Sequence, residues 1–182
     1  MRTQALLCMV MIAAVLILAP TTASADGKGT SLGVEGGVTW QINDGNSELA
    51  DISEAYGFFV DLPLTSTFYI SPETVFYRYN IISGGDSDGD YGSGITDLSL
   101  NFKFIVPLGK SKLSFAMRGG ATNGIRSESG FPMTVHFGFS AGYMYNFISN
   151  LAFTTKVMWT FMPSEQGNLY RLFGMIGLRF TI

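Results

Sequence analysis

Cysteine is nearly missing from this 182-residue chain: the only one, Cys8, lies in an N-terminal apolar run. Beyond that run there can be no disulfide and no thiolate chemistry. Histidine also occurs once, as His136. This excludes a histidine-rich metal cluster and leaves one ordinary general base that titrates near neutral pH. Charge is sparse, with Asp, Glu, Lys and Arg making up 14% of the chain against about 25% in a typical soluble domain. The net charge is −3, which argues against nucleic acid as a partner. After the N-terminal run no segment reaches the roughly 18 consecutive apolar residues of a membrane helix, although 47% of the chain is hydrophobic. A hydrophobic chain without spanning helices has one other way to live in lipid, a closed β-barrel that satisfies its backbone between strands.

What is present fits that alternative. Arg2, the run Leu6 to Ala19, Pro20 and the small residues Ala23-Ser24-Ala25 read as a secretory signal peptide over residues 1–25. Residues 26–182 are expected to form one barrel domain. From Thr30 onward the hydrophobic period is two, the period of a strand. Leu32, Val34, Val38, Trp40 and Ile42 alternate with Gly33, Glu35, Gly37, Thr39 and Gln41. Tyr56, Phe58, Val60 and Leu62 alternate with Ala55, Gly57, Phe59 and Asp61. The third segment, Phe68 to Asn80, is aromatic throughout, so its register is open, and Pro72 marks a bulge or local break. Five more alternating segments follow, centred on Leu98–Val106, Leu113–Gly120, His136–Tyr145, Leu151–Phe161 and Leu172–Ile182. Eight strands of about ten residues suffice to cross a bilayer when tilted.

The connections alternate in length. Pro63–Thr67, Pro107–Lys112 and Phe147–Asn150 are short; Asn43–Ser53, Ile81–Gly94, Asn123–Pro132 and Pro163–Leu169 are longer. Short periplasmic turns and longer outer loops are the habit of outer-membrane barrels, and an even strand number puts both termini in the periplasm. The fold expected is therefore an all-β, eight-stranded, antiparallel up-and-down transmembrane barrel. A soluble lipocalin-like ligand-binding barrel is the alternative, with its apolar face turned inward. Two features favour lipid outside. Gly, Ala, Ser and Thr crowd the non-apolar face, and Trp40, Tyr56, Tyr143, Tyr145 and Trp159 sit toward strand ends, where aromatic girdles meet head groups. The same parity lets Glu35, Asp61, Glu73, Asp97, Lys103, Arg118, Lys156 and Arg179 point inward. Charges in so narrow a space must pair, which predicts a plugged lumen; a narrow pore is the competing expectation.

The stretch His136-Phe-Gly-Phe-Ser-Ala-Gly-Tyr-Met-Tyr145, followed by Phe147-Ile-Ser-Asn150 and Leu151-Ala-Phe153, resembles the penultimate hairpin of the small OmpA-like and OmpX-like barrels. The ending Gly177-Leu-Arg-Phe180-Thr-Ile182 resembles the C-terminal signal of that superfamily, with Ile in place of a terminal Phe. The resemblance implies recognition by the barrel-assembly machinery through Gly177, Phe180 and Ile182, with periplasmic chaperones as transient partners.

Three candidate sites remain. Asp86, Asp88 and Asp90 alternate around a glycine in the longest loop, a partial ligand set for a hard cation such as calcium, without the distal Glu of an EF-hand. Together with Asp44, Glu48 and Asp51 they would lie near lipopolysaccharide phosphates. His136 raises the alternative of a lipid A-modifying hydrolase, but Ser140 lies about 13 Å along the strand, and only Ser127, Glu128 and Ser129 could approach from a loop. Tyr77, Tyr79, Tyr91 and Phe131 are expected at the outer rim, where aromatics could anchor a partner. The reading is a monomeric, non-enzymatic, cofactor-free outer-membrane barrel with a structural or surface-interaction role among outer-membrane lipids and lipopolysaccharide.

Overall fold

A computed structural model describes residues 29–43, 52–78, 94–123, 133–163 and 169–182. The signal-peptide reading, the candidate Asp86, Asp88 and Asp90 site, Asp44, Glu48, Asp51, Ser127, Glu128, Ser129 and the rim residues Tyr79, Tyr91 and Phe131 lie outside the described residues. Eight strands follow one another: β1 (Ser31–Asn43), β2 (Ile52–Pro63), β3 (Phe68–Arg78), β4 (Gly94–Leu108), β5 (Ser111–Asn123), β6 (Met133–Ile148), β7 (Leu151–Met162) and β8 (Leu169–Thr181). Each pairs antiparallel with its neighbour in sequence, and β1 closes on β8 from Ser31↔Thr181 to Asn43↔Leu169. Closure leaves no sheet edge, so the ladders satisfy the backbone without water.

The short connections, with both described termini, gather at one end of the barrel; the strand ends Asn43, Ile52, Arg78, Gly94, Asn123, Met133, Met162 and Leu169 lie at the other. The β4–β5 turn is the tightest: Leu108 pairs with Ser111, and Gly109 takes φ +65°, a conformation that favours glycine at the first position of a two-residue hairpin. In the β2–β3 turn Thr65 Oγ1 accepts hydrogen bonds from the backbone N–H groups of Phe68 (3.0 Å) and Thr67 (3.3 Å). Before the β6–β7 turn the register shifts between Asn146 and Ile148, so Phe147 is the extra residue of a bulge.

Pro72 produces a local break. Along β2 and β3, Phe59↔Glu73 is followed by Leu62↔Ile70 in the same register, with no pairing at Val60 and Asp61 between them. On its other side Pro72 stays in register with Leu100 of β4. A proline offers no N–H, so the ladder opens on one side only.

The alternation sorts the side chains. Outward positions expose Val34, Tyr56, Phe102, Phe115, Met117, Phe137, Phe139, Val157, Ile176 and Leu178, each 48–63% accessible. Contiguous apolar surface on this scale is foreign to water-soluble monomers. Inward positions are buried and carry the charges, the reverse of the lipocalin arrangement.

Two expectations need correction. Tyr77 does not stand at the outer rim: β3 turns Tyr69, Ser71, Glu73, Val75 and Tyr77 inward, and the Tyr77 ring meets Phe173 edge-on at 5.4 Å. The inward face is also not uniformly small and polar. Ala55, Val75, Tyr77, Ile95, Met158, Phe173 and Met175 form an apolar cluster toward the loop end, and Tyr69, Ile105 and Met144 form another toward the turn end. Large apolar side chains stand toward both ends of the interior, interleaved with charged ones: Asp97 pairs across the ladder with Val75, and Lys103 with Tyr69.

Candidate functional site: the charged interior

Three clusters of charged side chains lie in the interior; the first two join strands that are not neighbours, and the third joins β4 to its neighbour β5 and reaches β7. Nearest the turns, Asp61 on β2 meets Lys103 Nζ of β4 at 2.6 Å and Arg179 Nε of β8 at 2.9 Å. At mid-barrel, Lys156 Nζ on β7 donates to Glu35 Oε1 of β1 at 2.6 Å and to Glu73 Oε1 of β3 at 2.8 Å. Asn101 Nδ2 donates to the other Glu73 oxygen at 2.8 Å and to the Ser71 carbonyl at 2.9 Å. Toward the loops, Arg118 Nη2 donates to Asp97 Oδ1 at 2.9 Å and to Ser99 Oγ at 2.7 Å, while Nη1 meets the Met158 sulfur at 3.1 Å. The Asp61–Arg179 contact is an ion pair without hydrogen-bond geometry; the charge-assisted hydrogen bonds of Lys103, Lys156 and Arg118 are the strong ones, and together these pairs offset part of the large cost of taking ions out of water.

His136 is fully buried beside the third cluster. Its Nδ1 shares a 3.1 Å hydrogen bond with Thr122 Oγ1, and its Nε2 stands 3.4 Å from Asp97 Oδ1. It points inward, away from the surface where an acyl chain would lie. Ser140 is also an inward position, two inward steps along the same strand, so the strand geometry that separates them in sequence holds in the fold.

The interior closes because glycine stands opposite bulk. His136 pairs directly with Gly120, where an added Cβ would sit 2.9 Å from the imidazole and against the Leu98 carbonyl. Glu35 pairs with Gly57 on one side and Gly177 on the other, and a Cβ at Gly57 would lie 2.7 Å from the Glu35 side chain. Phe59 lays its ring across Gly33, its cross-strand partner, in the space a Cβ would take. Arg118 faces Gly138, and Lys156 faces Gly142. At these positions glycine leaves the space that the large side chain opposite takes, whereas elsewhere two large side chains share a pair, as Met158 and Phe173 do.

Sequence parity missed one interior cation. Arg171 is buried at the loop end with its guanidinium 4.5 Å from the Tyr77 ring centre. The clear alternation begins at Leu172, whereas β8 begins at Leu169; the signal for Arg171 is its shared parity with Arg179, eight residues along the same strand. Gly177 is inward beside Glu35, while Phe180 and Ile182 are outward and exposed. The Ile182 N–H donates to the Thr30 carbonyl at 2.8 Å, holding the C-terminus to the start of β1. Among the described residues no group of three or more His, Cys, Asp or Glu is arranged to hold a metal ion.

On the outside, aromatic residues touch one another in two groups. Toward the loops, Trp159 stacks with Phe139 (6.2 Å), Phe161 (6.5 Å) and Tyr170 (6.0 Å). Toward the turns, Tyr145 meets Phe147 edge-on at 5.4 Å and the Tyr143 hydroxyl bonds Ser111 Oγ at 2.7 Å.

No protein-family model matches the chain, and no curated protein matches it in sequence. Solved structures do match in shape. The neisserial surface protein A superposes with a TM-score of 0.66 at 7% identity, covering 85% of this chain and 97% of that one. The attachment invasion locus protein Ail of Yersinia pestis gives 0.52 at 12% identity, covering 84% and 99%. The outer membrane protein H (OprH) of P. aeruginosa gives 0.52 at 11% identity, covering 85% and 99%. At such identities the likeness concerns architecture, and it agrees with the strand order, closure and alternation: the chain has the all-β, eight-stranded, antiparallel up-and-down fold of the small outer-membrane barrels.

Proposed function

We propose that this chain is an integral protein of the bacterial outer membrane, closed along its axis by its own charged side chains, with a structural or surface-interaction role rather than a catalytic one. The observation that carries the reading is the split between faces: apolar side chains are exposed outside, while Glu35, Asp61, Glu73 and Asp97 are buried inside within reach of cations. Lipid is the solvent that makes such an exterior stable, and paired ions interleaved with apolar side chains leave no wet path. The partners we assign are outer-membrane lipids and lipopolysaccharide around a monomer, with the termini and short turns in the periplasm. During biogenesis they include periplasmic chaperones and the barrel-assembly machinery, reading Gly177, Phe180 and Ile182. The long acidic loops, with Asp86, Asp88 and Asp90, would face outward, where a divalent cation could bridge them to lipopolysaccharide phosphates.

His136 supports the non-catalytic reading, because it faces the interior and is fully buried. Planar-bilayer recording of the purified barrel tests the closed interior: silence is expected, and steady conductance overturns it. Mass spectrometry of lipid A from cells carrying the protein or its His136→Ala variant tests the absence of catalysis. An unchanged profile is expected, and a His136-dependent loss of acyl groups overturns the reading.

A further inference from the structure

We propose that Phe59 is the septum of the barrel: its ring separates the turn-side ionic cluster from the mid-barrel one, and it is the side chain whose removal opens a polar path between them. The inference rests on the closed-interior reading and names the residue that enforces it. Along β2 the inward positions run Gly57, Phe59, Asp61. Gly57 lies under Glu35 of the mid-barrel cluster, and Asp61 anchors the turn-side cluster. Phe59 therefore occupies the one inward step between them, a step of about 7 Å. It is 4% accessible.

The ring touches both clusters. Lys103 Nζ, the partner of Asp61, stands 4.7 Å from its centre, and Lys156 Nζ, the partner of Glu35 and Glu73, stands 5.5 Å away. Both distances fall within the range in which an ammonium is attracted to an aromatic face. Each lysine is thus held by carboxylates of its own cluster and by this shared ring. The ring takes its position because Gly33, directly opposite on β1, has no side chain to contest the space. Without the ring, two sets of charged groups would border one cavity, and a polar cavity of that size takes up water. Ion pairs that were separated by hydrocarbon would then be joined by solvent.

The test is hydrogen–deuterium exchange of the refolded full barrel in lipid vesicles, with folding verified by heat-modifiable migration on a detergent gel. In wild type the backbone amides of residues 31–36 and 57–61 are expected to exchange as slowly as those of β5 and β6. In Phe59→Ala they are expected to exchange several-fold faster while β5 and β6 are unchanged, and Gly33→Ala, which keeps the ring but displaces it with a Cβ, is expected to show the same local change. Gly33→Ala carries the test if Phe59→Ala does not fold. Slow wild-type exchange that stays slow in the folded variants overturns the septum while leaving the closed interior standing. Fast exchange throughout the wild-type interior overturns the closed interior itself, and the septum with it.

Discussion

The two faces of this barrel obey different rules. Outside, Phe102, Phe115, Phe139 and Leu178 are exposed, and what the site demands is only that the side chain be apolar. Inside, Asp61 must meet Lys103 and Arg179, Lys156 must meet Glu35 and Glu73, and His136 must have Gly120 beneath it. The outer face is specified by solvent and the inner face by partner. The outer face should therefore tolerate changes of shape and reject charge, and the inner face should reject changes of either kind.

The largest effect is expected from Asp61→Ala, which leaves Lys103 and Arg179 buried without their carboxylate. It should cost about 3–5 kcal/mol, the usual penalty for breaking a buried pair, measured by urea unfolding of the barrel in lipid vesicles. A loss below 1 kcal/mol would erase the contrast. Next comes Phe102→Lys, which places an ammonium on the outer face of mid-β4 and should cost about 2–4 kcal/mol if that face meets the hydrocarbon midplane. The same assay in a purely aqueous barrel would show no penalty. Gly120→Ala should follow, at about 1–3 kcal/mol for overpacking against His136 and the Leu98 carbonyl. Pairing it with His136→Ala should return only part of that loss, because the imidazole is one of three obstacles and the other two, at Leu98 and Ser99, are backbone. Smallest is Phe102→Leu, expected to remain within about 1 kcal/mol of wild type because one apolar side chain replaces another against lipid.

How much of this was legible in the sequence differs between the same two faces. The strands of β4, β6 and β7 can be read directly, since Phe102, Phe139 and Phe153 lie between small or polar neighbours. β3 cannot, because Tyr69, Val75 and Tyr77 inside and Ile70 and Phe76 outside are all apolar. Tyr77 was misplaced for that reason. The inward parity of the charges can be read as well, but the choice of partners cannot. Lys156 on β7 reaches Glu35 on β1 and Glu73 on β3, and no local pattern encodes a contact across the lumen. The part played by Phe59 was hidden in the same way: along β2 it is one more aromatic residue, and only barrel closure brings two ammonium groups to its ring.

The central claim is that the outer face meets lipid, and the chain carries its own reporters. Both of its tryptophans, Trp40 and Trp159, stand at outward positions of their strands. The decisive measurement is tryptophan fluorescence of the barrel refolded into vesicles whose acyl chains are brominated, compared with quenching by aqueous iodide. The account predicts strong quenching by the brominated chains and weak quenching by iodide. Full sensitivity to iodide with none to the brominated lipid would contradict it.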